Sequence, residues 1–303
     1  MSSVKWYDDA SLVAALPLRY RAYAMYSHFI GKRNSRGVTG GSFLLRMLRE
    51  ASSLAGKSTV APVHGIDGLT VMADFADERV LEVIHEIRGE DPEYAVMREL
   101  IGKGDTFVDV GANFGTFSLL ASRLVGESGN VIAIEPQPRL VSLTEQSVAL
   151  SHAGNCYVVP RACGRAEGKR RLLVPVDDSG RAGFFSAFSG AKPHEEMDVG
   201  VTTLDSVLAS VEPQRNVFIK IDVEGSEMDV LDGGVESITS MHPTIMIEIN
   251  PWSAKAAGQS TKILVDRLRE LGYRSFASAR EFPETIDPAG IPSDRQLNLI
   301  ARA

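Results

Sequence analysis

The chain has 303 residues, 44% hydrophobic and 23% charged, an ordinary globular composition that excludes a disordered chain, a collagen-like repeat and a disulfide-dense mini-protein. Its net charge of −7 is unevenly spread: residues 1–60 hold nine Lys/Arg against three Asp/Glu, so a basic leader precedes an acidic body, which argues against a broad nucleic-acid surface. No run approaches the ~18 apolar residues of a membrane span. Pro17, Arg19 and Arg21 break any signal-peptide pattern, and the two cysteines, Cys156 and Cys163, lack metal-type companions. These features predict a reduced, cytoplasmic chain.

In chain order, residues 8–31 read as helix interrupted at Pro17, and 42–55 as a second helix after a Gly/Ser/Arg-rich connector. Residues 1–58 thus form a basic helical extension, suited to a peripheral membrane contact or a homo-oligomer contact, or to packing as an arm on the body. Residues 59–92 lead into the core with a hairpin, Thr59–Val63 and Leu69–Ala73, and a helix over 77–88. A further helix over 91–101 carries Pro92 in its first turn. The main unit, residues 93–303, changes at Asp105 to strand–helix alternation. Strands are predicted at 106–110, 130–135, 156–160, 217–223 and 244–250, with closing strands at 274–277 and 297–301. Helices fall at 119–125, 138–150, 226–238 and 262–271. Residues 170–176 read as an inserted strand and 177–198 as a long loop carrying Phe184, Phe185, Phe188 and His194, of the kind that often serves as a lid. Near-continuous apolar strands between helices predict a parallel sheet covered on both faces.

The first chemical signal follows the strand at 106–110: Asp109-Val110-Gly111-Ala112-Asn113-Phe114-Gly115. Glycines let the backbone turn tightly and approach a ligand at a helix N-terminus. The pattern departs from the dinucleotide fingerprint, because Asn113 stands where a second glycine would admit a pyrophosphate. Glu135, at the end of the next strand and before Pro136, occupies the position from which a carboxylate holds ribose hydroxyls. An adenosine without pyrophosphate whose cationic end tolerates nearby carboxylates is S-adenosylmethionine (SAM). A nucleotide-dependent oxidoreductase is the competing enzyme class.

The second signal is Lys220-Ile221-Asp222-Val223-Glu224. Strand alternation puts Lys220 and Asp222 on one face of a central strand, where each is costly unless paired. Glu248 repeats the oddity in the next strand, with Asn250 at its end. A purely structural account pairs Lys220 with Glu248 and makes Ser226-x-x-Asp229 a capping box. The functional account makes Asp222 the first candidate for general base, with Lys220 holding it or itself acting as base. Glu224, Glu248 and Asn250 then orient acceptor hydroxyls, with contributions from Trp252 and His194. Alternatively Asp222, Glu224 and Glu248 bind Mg²⁺ or Ca²⁺ through oxygen ligands.

Together these pieces resemble the FkbM-type methyltransferases over roughly residues 93–276. The resemblance rests on Val108–Gly115, Glu135-Pro136, Thr203-Leu204-Asp205, Ile219–Glu227 and Pro243–Glu248, the Lys-Ile-Asp-Val-Glu-Gly run being the most specific. It implies a Rossmann-like class I methyltransferase sheet of seven strands, one antiparallel, flanked by helices. It also implies SAM-dependent O-methylation of a sugar, lipid-linked glycan or polyketide. The expected cofactor contacts are Asp109, Gly111, Ala112, Asn113, Gly115, Glu135, Pro136 and Ala162. A sugar or glycan hydroxyl is the favoured acceptor. A polyketide or other small natural product, and a non-catalytic SAM-binding scaffold, are the alternatives.

Overall fold

The computed structural model describes residues 59–89, 91–185, 193–211 and 215–303; the basic extension over 1–58 and Phe188 lie outside them. A hairpin of β1 (Val60–His64) and β2 (Thr70–Asp74) comes first, followed by α1 (Val80–Glu86) and α2 (Pro92–Leu100). The alternation then runs β3 (Thr106–Val110), α3 (Thr116–Val125), β4 (Asn130–Ile134), α4 (Pro138–Leu150) and β5 (Cys156–Val159). A small sheet of β6 (Ala162–Cys163), β7 (Gly168–Pro175) and β8 (His194–Thr202) interrupts it and is followed by α5 (Leu204–Ala209). It resumes with β9 (Val217–Ile221), α6 (Glu227–Asp232), α7 (Val235–Met241), β10 (Thr244–Ile249), α8 (Pro251–Ala256) and α9 (Thr261–Glu270). The last strands are β11 (Ser275–Ser278) and β12 (Leu297–Arg302).

The seven-stranded sheet has the order β11-β12-β10-β9-β3-β4-β5, with β12 antiparallel to both neighbours and every other pair parallel. This is the Rossmann-like sheet with one antiparallel strand expected from the sequence. Side-chain alternation divides the core in two. Phe107, Ala133, Phe218, Met246 and Ile300 face a layer made by the hairpin and α1 to α4. Val108, Ile132, Ile219, Ile247 and Leu299 face α5, α6, α7 and α9. The hairpin is stitched to α4 by serines one helical turn apart. Ser147 Oγ accepts from the Met72 N–H at 2.8 Å and Ser151 Oγ from the Thr70 N–H at 2.9 Å, so buried backbone donors of β2 are satisfied. Among the described residues, no helix is long and apolar enough to cross a membrane.

Two expectations about the elements need correction. The segment predicted as one loop over 177–198 ends in strand: His194–Thr202 pairs antiparallel with β7 from Gly168↔Val201 to Pro175↔His194. His194–Asp198 is mostly polar and exposed, so no buried alternation marks the strand before Val199. The helix predicted over 226–238 is divided at Gly233 and Gly234 into α6 and α7, and Ser226 makes no side-chain cap, so the capping box is absent.

Candidate active site

The sheet changes direction at β3: the chain runs outward through β4 and β5, then returns to β9 on the other side. Ligands of open α/β sheets bind in the crevice at such a switch point. Here the crevice lies between the ends of β3 and β9, where the Asp222 N–H donates to the Val110 carbonyl at 3.0 Å. Gly111 adopts φ 87°, and a Cβ there would run into the Asp222 carbonyl oxygen. The glycine turn is therefore required for the two strand ends to meet. Gly111→Ala is expected to cost at least about 2 kcal/mol in stability from left-handed strain plus the clash, read by urea unfolding; a variant as stable as the parent would contradict this packing.

On the cofactor side a narrow pocket of about 80 Å³ is lined by Gly111, Ala112, Asn113, Pro136, Gln137 and Ala162, among others. Of the eight expected cofactor contacts, five are in this wall, while Asp109, Gly115 and Glu135 are behind it. Gly115 is the N-cap of α3, at φ 75°. Asp109 is 1% exposed, accepts from Ser118 Oγ at 2.6 Å and stands beside Lys220 across the β3–β9 ladder. The Glu135 carboxylate accepts the N–H of Asn113 through one oxygen and that of Gln137 through the other, each at 2.9 Å. Burial pushes Glu135 up to about 7 despite these two bonds, which favour its charge.

The pocket is far smaller than the ~300–1,000 Å³ usual for small-molecule sites, because residues 179–184 lean over it. Gln137 Nε2 donates to the Ser179 carbonyl at 3.2 Å, and the Ser179 N–H donates to Asp77 at 3.1 Å. Gln137 directly follows the Glu135-Pro136 pair, which was the available pointer to it. Ser179 and Asp77 carry no comparable sequence mark.

On the other side is a cleft of about 910 Å³, into which Lys220, Asp222, Glu224, Glu248, Asn250 and Trp252 project. Lys220, Asp222 and Glu224 also line the cofactor pocket and so stand where the two spaces join. His194 lines neither: it begins β8, and the structure does not bring it to the site. Lys220 and Asp222 share a face as predicted, and Lys220 Nζ bonds Asp222 Oδ2 at 2.9 Å, in place of the ion pair with Glu248 that a structural account expects. The ammonium also sits 5.1 Å from the centre of the Phe117 ring. Burial alone would lower the pKa of Lys220, but the carboxylates of Asp222 and Asp109 outweigh it and hold the group above the ordinary lysine range. Burial likewise opposes the charge of Asp222, and the Lys220 ammonium overcomes it, holding Asp222 below the ordinary aspartate range.

Glu224 differs. It has φ 47°, a left-handed backbone uncommon outside glycine. Its Oε2 accepts from Ser253 Oγ at 2.8 Å and from Asn250 Nδ2 at 3.3 Å. Asn250 Oδ1 in turn caps α8 through the N–H groups of Trp252 and Ser253. Burial, then the charge of Asp222, pushes Glu224 up to about 8. Glu248 is 5% exposed; Gln296 bonds its Oε1, and its Oε2 is buried without a hydrogen-bond partner. Burial and the neighbouring carboxylates raise it well above the ordinary range. Asp222, Glu224 and Glu248 each place one carboxylate oxygen within 4.8 Å of the others. Carboxylate oxygens are the donors that hard divalent ions take.

A sequence model of the methyltransferase FkbM domain matches residues 109–275, more than half of the chain. The chain belongs to the FkbM methyltransferase family. By family it is a SAM-dependent methyltransferase. Methyltransferase 1 of Beauveria bassiana is 26% identical over 246 residues, covering 76% of this chain and 94% of that protein. Hexuronic acid methyltransferase AglP of Haloferax volcanii is 28% identical over 183 residues, covering 59% and 70% respectively. Among solved structures, an FkbM methyltransferase from Methylobacillus flagellatus KT aligns at 18% identity with a TM-score of 0.41, over 84% of this chain and 60% of that one.

Proposed function

We propose that this FkbM-family methyltransferase transfers the methyl group of SAM to a hydroxyl of a sugar or glycan, with Glu224 as general base. The observation that carries the reading is the junction of the narrow pocket at the glycine turn with a wide polar cleft at Lys220, Asp222 and Glu224. Ala112, Pro136 and Ala162 supply apolar surface for an adenine, and Asn113 and Gln137 supply amides. Glu135, behind that wall, serves the pocket through its two bonds to the Asn113 and Gln137 N–H groups, which hold these two amide-bearing residues in place. Bound SAM supplies an electrophilic methyl group on a sulfonium. The cleft's task is to hold the acceptor oxygen ~3 Å from that carbon, opposite the leaving sulfur.

A sugar hydroxyl is a weak nucleophile, and a base works best with a pKa near the working pH. Glu224, at about 8, meets that condition better than Asp222, which the Lys220 ammonium keeps too acidic. Asp222 and Lys220 are then a positioning pair, and Lys220, held protonated, is not the base. Asn250 and Ser253 orient Glu224; Trp252, 57% exposed, offers a face on which a sugar ring can stack. The name of the Haloferax relative, with an acid sugar in it, supports a carbohydrate acceptor; a polyketide-type hydroxyl is the alternative.

Calorimetric titration with SAM, and separately with NAD, tests the cofactor part. SAM is expected to bind and NAD not; the reverse would overturn the reading in favour of hydride transfer. SAM affinity is expected to rise with pH through about 7 as Glu135 ionises and tightens its hold on the Asn113 and Gln137 N–H groups of the pocket wall, then to level off. Glu135→Gln should weaken SAM at least about tenfold, the loss of a charge-assisted bond pair, and remove that rise. The difference between the two proteins isolates Glu135 from titration of SAM itself.

A second reading is favoured by the unpartnered Glu248 Oε2. Here Asp222, Glu224 and Glu248 hold Mg²⁺ or Ca²⁺, and the ion would acidify the acceptor hydroxyl in place of a protein base. Transfer unchanged after exhaustive EDTA treatment rejects this; transfer lost and restored by either ion replaces the Glu224 assignment with it.

A further inference from the structure

The acceptor cleft is unusual in its charge. Among the described residues its wall holds nine carboxylates, from Glu78 on α1's approach to Glu248 on β10, against three permanent cations: Arg79, Arg181 and Lys220. Each cation is already taken by a carboxylate of the same wall. Arg79 pairs with Glu82 and Glu86, Arg181 with Asp178 at 3.1 Å and Lys220 with Asp222 at 2.9 Å. The histidine in the wall, His85, is 3.2 Å from Asp91. Among the described residues an incoming carboxylate or phosphate finds no unclaimed cation in this wall, and it sits beside carboxylates that outnumber the three cations even with Glu224 and Glu248 protonated, which is costly in a desolvated site. Hydroxyl groups would find the opposite: Glu248 Oε2 is buried in the cleft wall without a hydrogen-bond partner, and a hydroxyl, which both donates and accepts, satisfies it whether or not it holds a proton. A buried polar atom in that state is costly until a partner reaches it.

From this geometry we infer that the acceptor is a polyhydroxylated molecule, neutral or amine-bearing, that carries no carboxylate, sulfate or phosphate near the reacting hydroxyl, and that the cleft excludes uronates. The inference rests on the acceptor side of the reading above and narrows it. Hydroxyl or ammonium donors on the ligand satisfy Glu248 and its neighbours, while the carboxylate wall screens out acidic sugars electrostatically. It sets this chain apart from a relative whose name specifies a hexuronic acid.

Two measurements on the full chain test it. The first needs no acceptor. The protein has two tryptophans, Trp6 and Trp252, so fluorescence quenching compared between the parent and Trp252→Phe isolates the residue in the cleft. Quenching of Trp252 by iodide is expected to be suppressed at least about threefold relative to caesium, each scaled to free N-acetyltryptophanamide at matched low ionic strength. Equal scaled quenching would overturn the inference. The second uses the protein loaded with S-adenosylhomocysteine and ligand-observed NMR on methyl glucoside and methyl glucuronide, which differ only in the acid at carbon 6. The glucoside should bind at least about tenfold more tightly; a glucuronide bound equally or better would overturn the inference. Binding of neither sugar would count against the carbohydrate reading itself, leaving the quenching result to decide the charge selection.

Discussion

Replacing Glu224 with Gln lowers kcat by about 10²–10⁴-fold, the usual worth of a positioned general base, and leaves SAM affinity within about threefold. The parent enzyme's kcat/KM rises with pH and levels off above about 8, where Glu224 is ionised. Glu224→Gln has no such limb. Asp222→Asn supplies the control: the Asp222 charge is one of the forces raising Glu224, so its removal moves the limb to lower pH and does not erase it. A Glu224→Gln enzyme that retained both the rate and the limb would show that the base is elsewhere. The fold explains why this carboxylate can be so placed. Gly225, at φ 97°, packs against the Ser253 carbonyl, and Glu224 itself turns left-handed, so the chain leaves β9 in a tight bend that turns the carboxylate toward Asn250 and Ser253. Strain of this kind, of order 1–3 kcal/mol, is characteristic of functional positions.

The second large effect is on stability. Lys220→Met leaves Asp222 and the 1%-exposed Asp109 without their shared cation. Breaking a buried pair from one side costs about 3–5 kcal/mol; with Asp222 partly solvated, about 3 kcal/mol is expected. That lowers Tm by roughly 6–12 °C for a domain of this size, measured by calorimetry. The double variant Lys220→Met with Asp222→Asn should recover part of the loss, because one uncompensated charge is gone. A single variant with Tm within about 2 °C of the parent would mean that Lys220 does not neutralise this layer of the sheet.

The parallel sheet was legible because its strands are short apolar runs with abrupt ends, and Lys220 and Asp222 announced themselves as polar residues on one face of such a run. What the sequence could not show was which partners they take. An i, i+2 pair at a strand end can fold back on itself when the second residue lies just past the last ladder bond, and Lys220 does so with Asp222 instead of crossing to β10. The residues that press on the site from outside the alternation, Arg79, Ser179 and Gln296, are far from it in sequence and follow no period. β8 escaped notice because its first half faces solvent on both sides. Conversely, Asp109 and Glu135 sit at the expected strand ends, yet the structure places both behind the pocket wall. A motif fixes a position on the backbone; the cover of the position depends on segments such as 179–184 that the motif does not contain.

Glu224-dependent O-methylation is tested by transfer from [methyl-¹³C]SAM to neutral glycoside acceptors, with the product read by two-dimensional carbon–proton NMR. A single new methyl carbon attached to oxygen, correlated to a sugar ring proton, is expected from the parent and not from Glu224→Gln. A labelled methyl on nitrogen or carbon, or transfer that Glu224→Gln leaves intact, would contradict it.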